Sequence, residues 1–130
     1  MEINRPEVVA EVAAAFAAYE AALVAGAPDR IVDFFWQSPE AVRYGIADQQ
    51  IGVEEQRAWR WAQPPLPAGR RLWETRIATF GADHAVVNTL FGYPGGSAVG
   101  RQSQTWVRLP AGWRIVAAHV SEPAVQPAQP

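Results

Sequence analysis

The chain has 130 residues, 49% of them hydrophobic, with six tryptophans and a formal net charge of −2 at pH 7. That is enough for one domain with a substantial core, and it excludes a disordered chain and the basic balance of a nucleic-acid-binding protein. There is no cysteine, and all 11 basic side chains are arginine; disulfides, thiolate nucleophiles, zinc-thiolate sites and lysine Schiff bases are excluded, and a cytoplasmic location is expected.

Residues 5–26 are predicted to form the first helix. Asn4 suits the N-cap, Pro6 and Glu7 suit the first turn, and Gly26 suits the stop. Val9, Val12, Phe16, Tyr19 and Leu23 recur at spacings of three and four and make one face. Glu11 and Glu20 interrupt the apolar run. Each would cost about 2.5–3.5 kcal/mol near the centre of a membrane span, so an amphipathic helix in water is expected and no membrane partner.

A short second helix opens at Pro28 and covers "PDRIVDFFW". "SPE" breaks it, and "AVRYGI" reads as a short strand. "VEEQRAWRWA" reads as a third helix, ended by the proline loop "QPPLPAG". Four strands follow, "LWETRIATF", "HAVVNTLFGY", "AVGRQSQTWVRL" and "WRIVAAHVS", joined by short turns. They predict an antiparallel meander. The tail from 122 to 130 is proline-rich without periodicity and is predicted to be disordered; residues 1–121 are the domain.

Helices first and antiparallel strands after make an α+β domain. The helices can cover one face of the sheet, and the other is expected to meet solvent or a second copy of the chain. The strand "GRQSQTWVRL" has no clean apolar face. If the sheet curls around the helices, Gln102, Gln104 and Trp106 line a cavity, and Ser103, Thr105, Val107 and Leu109 form an outer face suited to pairing two subunits. A slip of one residue would exchange the faces.

Polar residues among core positions are the candidates for chemistry. Tyr19 sits in the apolar stripe of the first helix, either as a core tyrosine or as a pocket hydrogen-bond donor. Arg43 is either paired with a carboxylate such as Glu54, Glu55 or Glu74, or forms a fork for a substrate carboxylate. Arg60 and Arg57 on the third helix are weaker candidates for that fork, because most helix arginines are solvated. Gln102 and Gln104 suit an amide- or urea-like ligand, and Asn88 is a similar candidate. His119 is either a base near neutral pH or a structural histidine. No metal or cofactor is expected: the two histidines lie far apart, and no phosphate loop or nucleophile elbow is present. No inward-facing carboxylate base is evident, because Asp48 reads as a loop residue.

The motifs "INRPEVVAEVAAAFAAYEAALV", "FFW", "VRYG", "GRQSQTWV" and "GWRIVAAHVS", in that order, resemble the AtzH-like family, with its oxalurate-catabolism (HpxZ) branch. The resemblance runs from about Ile3 to Ser121. It implies the cone of the nuclear transport factor 2-like (SnoaL-like) superfamily: three helices packed in a curved antiparallel sheet, usually dimeric through the outer sheet face. It also implies work on small ureido acids, with Tyr19, Arg43 and Gln104 in the pocket. On this reading the chain is an enzyme that decarboxylates or hydrolyses an anionic ureido or N-carboxy-urea compound. Arg43 would hold a carboxylate, Gln104 and Gln102 would orient the amides, Tyr19 would donate a hydrogen bond or a proton where negative charge develops, and Trp36, Trp59 and Trp106 would exclude water. The alternative is a non-catalytic binding or accessory subunit of an amidohydrolase pathway.

Overall fold

A computed structural model describes residues 1–123. Its elements in chain order are α1 (Pro6–Ala25), α2 (Pro28–Val32), β1 (Val42–Tyr44), β2 (Gln49–Ile51), α3 (Val53–Trp61), β3 (Arg71–Phe80), β4 (His84–Gly92), β5 (Gly100–Leu109) and β6 (Gly112–Ser121). The strands form one curved sheet in the order β2-β1-β6-β5-β4-β3. Strands β3 to β6 form the antiparallel meander expected from the turns. β1 adds in parallel to β6, so the sheet is mixed; β2, hidden in the polar run "QQI", closes the edge by pairing antiparallel with β1.

α1 packs Val8, Val12, Phe16, Tyr19, Ala22 and Leu23 into the core. Its stripe begins at Val8, and Val9 is only partly buried. The helix is long and apolar enough by composition to cross a membrane, but here that face is against the sheet. Gly26 ends it in the left-handed conformation at φ 75°, as expected of a C-cap glycine. Asn4 does not cap α1. It ties the N-terminal segment to β3, its backbone N–H donating to Thr79 O at 3.0 Å and its Oδ1 accepting from the Thr79 N–H at 2.8 Å.

α2 is shorter than the sequence suggests. After Val32 the chain turns, and Phe35 bridges β6 at Ile115, with the Trp36 N–H donating to Ile115 O at 2.9 Å. Two adjacent phenylalanines gain more by lying under the sheet than by continuing an exposed helix: Phe35 is fully buried. The proline-rich tail expected from residue 122 falls outside the described residues except for Glu122 and Pro123.

Burial alternates along β4 (Ala85, Val87, Thr89, Phe91) and along β5 (Gln102, Gln104, Trp106), so the two glutamines and the tryptophan face the helices, and Ser103 and Thr105 face outward. In β6 the alternation breaks. Thr105 pairs with Ala117 but Trp106 pairs with Ile115, which leaves Val116 as the extra residue of a bulge. Ile115 and Ala118 both reach the core as a result.

Two features join α1, β4 and β5 at the wide end of the sheet. Arg70, at the entry to β3, forms an ion pair with Glu20 of α1 at 2.9 Å, their side chains only 5% and 12% exposed. Phe91 of β4 lies opposite Gly100 of β5, and a methyl group at Gly100 would overlap its ring. Gly100→Ala is therefore expected to cost about 1–3 kcal/mol through overpacking. Glu20→Ala, which strands a buried guanidinium, is expected to cost about 3–5 kcal/mol. The exposed pair of Arg57 with Asp29 serves as control, with Arg57→Ala costing about 1 kcal/mol or less. Denaturant midpoints at unchanged slope check all three.

Candidate functional site

Between α1, α3, the inner sheet face and the loop 62–70 lies a cavity of about 290 Å³. Tyr19, Arg43, Trp59, Gln102 and Gln104 line it, as the sequence suggests; Asp48, Arg60, Arg70 and Tyr93 line it as well. Leu66 and Pro67 of the proline loop form part of the wall, and the exposed Ile46 and Glu122 stand at the rim.

Arg43 points inward and Tyr44 outward, because Arg43 lies opposite Ala118 and Tyr44 opposite His119 in the parallel pairing with β6. The Arg43 guanidinium is already partnered. Its Nη1 donates to Asp48 Oδ1 at 2.7 Å and to Gln50 Oε1 at 3.0 Å, while Gln50 Nε2 donates to the same Asp48 oxygen at 2.9 Å. The partner carboxylate is thus Asp48, not Glu54, Glu55 or Glu74. Asp48 lines the cavity where the sequence suggests only a loop. Gly45 permits this, since any side chain there would collide with the Asp48 carboxylate. Arg43 also lies over the Trp59 ring, 4.3 Å from its centroid.

A second cluster is built on Arg70. Besides Glu20, it donates to Tyr93 Oη at 3.2 Å and Gln102 Oε1 at 3.1 Å, and Gln102 Nε2 donates to Glu20 Oε2 at 3.1 Å. Both ends of the Gln102 amide are therefore occupied in holding the ion pair. Burial disfavours the charge on Arg70, but the hydrogen bond and charge of Glu20, with Tyr93, outweigh it and raise the pKa.

Gln104 is different. Trp106 Nε1, which can only donate, gives its hydrogen to Gln104 Oε1 at 3.0 Å. This fixes the amide with its NH₂ group free of protein partners among the described residues. Tyr19 stands beside it, its ring held by edge contacts to Phe34, Phe35 and Trp106 at centroid distances of 5.8, 6.0 and 6.4 Å. The Tyr19 hydroxyl has no protein hydrogen-bond partner among the described residues. Burial raises its pKa, and the charges of Arg60, Arg43 and Arg70 pull the other way.

Arg60 corrects the expectation of a solvated helix arginine. Along α3, Val53 and Gln56 are buried, and Arg60 continues that stripe four residues after Gln56. Arg57 and Trp61, the other spacing of four, turn outward and both donate to Asp29. The 53-56-60 spacing was the available signal, masked by the charged composition of the helix.

Four further candidates lie away from the cavity. Trp106 is fully buried behind Tyr19 and Gln104. Trp36 is half-buried at the bridge to β6. Asn88 is on the outer face, its Oδ1 accepting from Ser103 Oγ at 2.6 Å. His119 is also outside, its ring edge-on to Tyr44 at 5.7 Å, because the bulge at Val116 reverses the alternation of β6.

Comparison with known proteins adds the lineage. A cystatin-like fold protein from Burkholderia xenovorans LB400 superposes with a TM-score of 0.91 at 51% identity, covering 96% of this chain and 98% of its own. A protein of unknown function of the DUF3225 family from Pectobacterium atrosepticum SCRI1043 gives 0.90 at 45% identity, covering 94% and 95%. An NTF2-like protein of unknown function from Pseudomonas putida KT2440 gives 0.77 at 15% identity, covering 96% and 95%, and shows the shared fold. No curated protein sequence matches the chain. The AtzH-like family model matches residues 1–125, and the chain belongs to the AtzH-like family.

Proposed function

We propose that the protein is a cytoplasmic enzyme of ureide or oxalurate-type nitrogen catabolism that removes a carboxyl group from, or hydrolyses a C–N bond in, a small anionic ureido or N-carboxy-urea compound. The observation that carries this reading is the Tyr19 hydroxyl, unpartnered among the described residues, in a cavity lined by three guanidinium groups and the amide NH₂ of Gln104, likewise free among them. A volume of about 290 Å³ stands at the small end of ligand pockets and suits a compound of a few heavy atoms. The guanidinium groups attract the anion, and the Gln104 NH₂ donates to a ureido carbonyl.

Loss of carbon dioxide from an N-carboxy-urea breaks the C–N bond and leaves the electron pair on nitrogen. Tyr19 then donates its proton to that nitrogen and becomes a phenolate, which solvent reprotonates after release. The fold serves both ends of this transfer. Burial keeps the phenol protonated at neutral pH, and the surrounding arginine charges favour the phenolate once it forms. Trp59 and the apolar wall of Leu66 and Phe91 restrict water around the reacting bond. The outer face of the sheet is the proposed contact between two copies.

Purified protein is expected, without help, to release carbon dioxide and urea from N-carboxyurea, or to hydrolyse oxalurate to oxalate and urea or to oxamate, carbon dioxide and ammonia. Tyr19→Phe should keep ligand affinity and lose roughly 10²–10⁴-fold in turnover. Because the acid form is the active one, the rate should stay level through neutral pH and fall only as pH rises above the ordinary phenol value of 10.0. No turnover on any ureido acid, together with stimulation of a partner amidase, would instead make the chain an accessory subunit.

A further inference from the structure

Of the three guanidinium groups along the cavity, two are held in ion pairs. Arg43 is paired with Asp48 and Arg70 with Glu20. The Arg60 guanidinium has no ion pair or hydrogen bond among the described residues, and its Nε is buried without a partner. Three residues earlier on the same helix, Arg57 shows what a satisfied arginine looks like here: it donates to Asp29 at 2.9 Å, Asp33 at 3.3 Å and Gln37 at 2.9 Å. Arg60 instead lies over the Trp59 ring, 4.7 Å from its centroid, and Arg43 is on the same ring at 4.3 Å. The indole helps to accommodate both cations but supplies no hydrogen-bond acceptor. Glu122, the remaining carboxylate along the cavity, is exposed at the rim and forms no ion pair with Arg60.

We propose that Arg60 is the residue that selects for a charged ligand: it takes the carboxylate of the incoming compound, while Arg43 and Arg70, held by Asp48 and Glu20, shape the walls. This rests on reading the cavity as a site for a ureido carboxylate and names the residue that reads the charge. Arg60 lines the cavity with no acceptor for its guanidinium among the described residues, and a charge-assisted bond from that group to a bound carboxylate would supply one. Burial also lowers the pKa of Arg60, as do the neighbouring cations Arg43 and Arg70; an anion in the cavity works in the opposite sense. Arg43 is a weaker candidate for this role, because Asp48 already neutralises it.

The test is calorimetric titration of the full chain with oxalurate, with oxaluramide as its neutral counterpart, and with malonate as a carboxylate lacking the ureido group. Wild type is expected to prefer oxalurate over oxaluramide by about tenfold or more. Arg60→Gln should weaken oxalurate by a similar factor and leave oxaluramide unchanged, so that the preference collapses. Arg60→Lys, which keeps the charge but not the planar fork, should restore part of it. Melting curves without ligand establish that each variant is folded; if Arg60→Gln does not fold, a reduced preference in Arg60→Lys carries the test. Oxalurate bound equally well with and without Arg60 removes the role given to Arg60 and keeps the ureido reading. Malonate bound in an Arg60-dependent way, with oxalurate refused, keeps the role of Arg60 and removes the ureido reading. No carboxylate bound by wild type overturns both.

Discussion

The extra residue at Val116 sets the orientation of the end of the sheet where the cavity lies. Up to Ile115, β6 alternates in step with β5; beyond the bulge Ala118 and Val120 face inward and His119 faces out. β1 docks in parallel on this shifted segment, and so inherits its facing. Arg43 therefore turns toward the helices, and Gln50, its cross-strand partner in β2, turns with it. Strict alternation would have placed His119 and Tyr44 inside and left the arginine in solvent. A bulge beside a site, re-aiming the side chains that follow it, is a recurrent use of this irregularity.

Around that segment the protein keeps charges in a place that is otherwise hydrocarbon. Removing a guanidinium from water is expensive unless carboxylates and hydrogen bonds replace the lost solvation. The two clusters meet this demand in the same way: a carboxylate neutralises the arginine, and a glutamine amide bonds to both members, Gln50 for Arg43 and Asp48, Gln102 for Arg70 and Glu20. Such closed networks are rigid, because each group has its geometry set by another. Among the described residues, they leave Tyr19, the NH₂ group of Gln104 and the Arg60 guanidinium free to respond to a ligand. The rigid part of the cavity and its responsive part are thus built from the same residue types, separated by whether a partner is within reach.

The outer face of the sheet is a different surface. Ser103, Asn88 and His119 project there, and their contacts are short and local, a hydroxyl to an amide oxygen and one ring to another. Candidates that looked equivalent in the sequence, Gln104 and Asn88 for example, part company on this basis. The glutamine lies on the concave side with a buried tryptophan as partner; the asparagine lies on the convex side with an exposed serine.

Much of the molecule was legible in the chain itself. Helical spacing, the stop at Gly26, short turns between alternating segments and the polar-plus-tryptophan face of residues 102–106 are local signals, each readable within about ten residues. They determined an α+β domain with Tyr19 on the core face of its first helix; the cone was implied by the family resemblance, and the facing of Gln102 and Gln104 was left open to a slip of one residue. Long-range pairing decided the rest. Nothing local announces that "QQI" is a strand, that "FFW" leaves its helix to bridge Ile115, that Asp48 folds back on Arg43, or that one extra residue at Val116 turns His119 away. The inward course of Arg60 was available only as a faint spacing with Val53 and Gln56, overruled by its charge. Side-chain periodicity encodes which face a residue shares with its neighbours in sequence. It does not encode which distant segment covers that face, and the pairing or isolation of a buried charge depends on the latter.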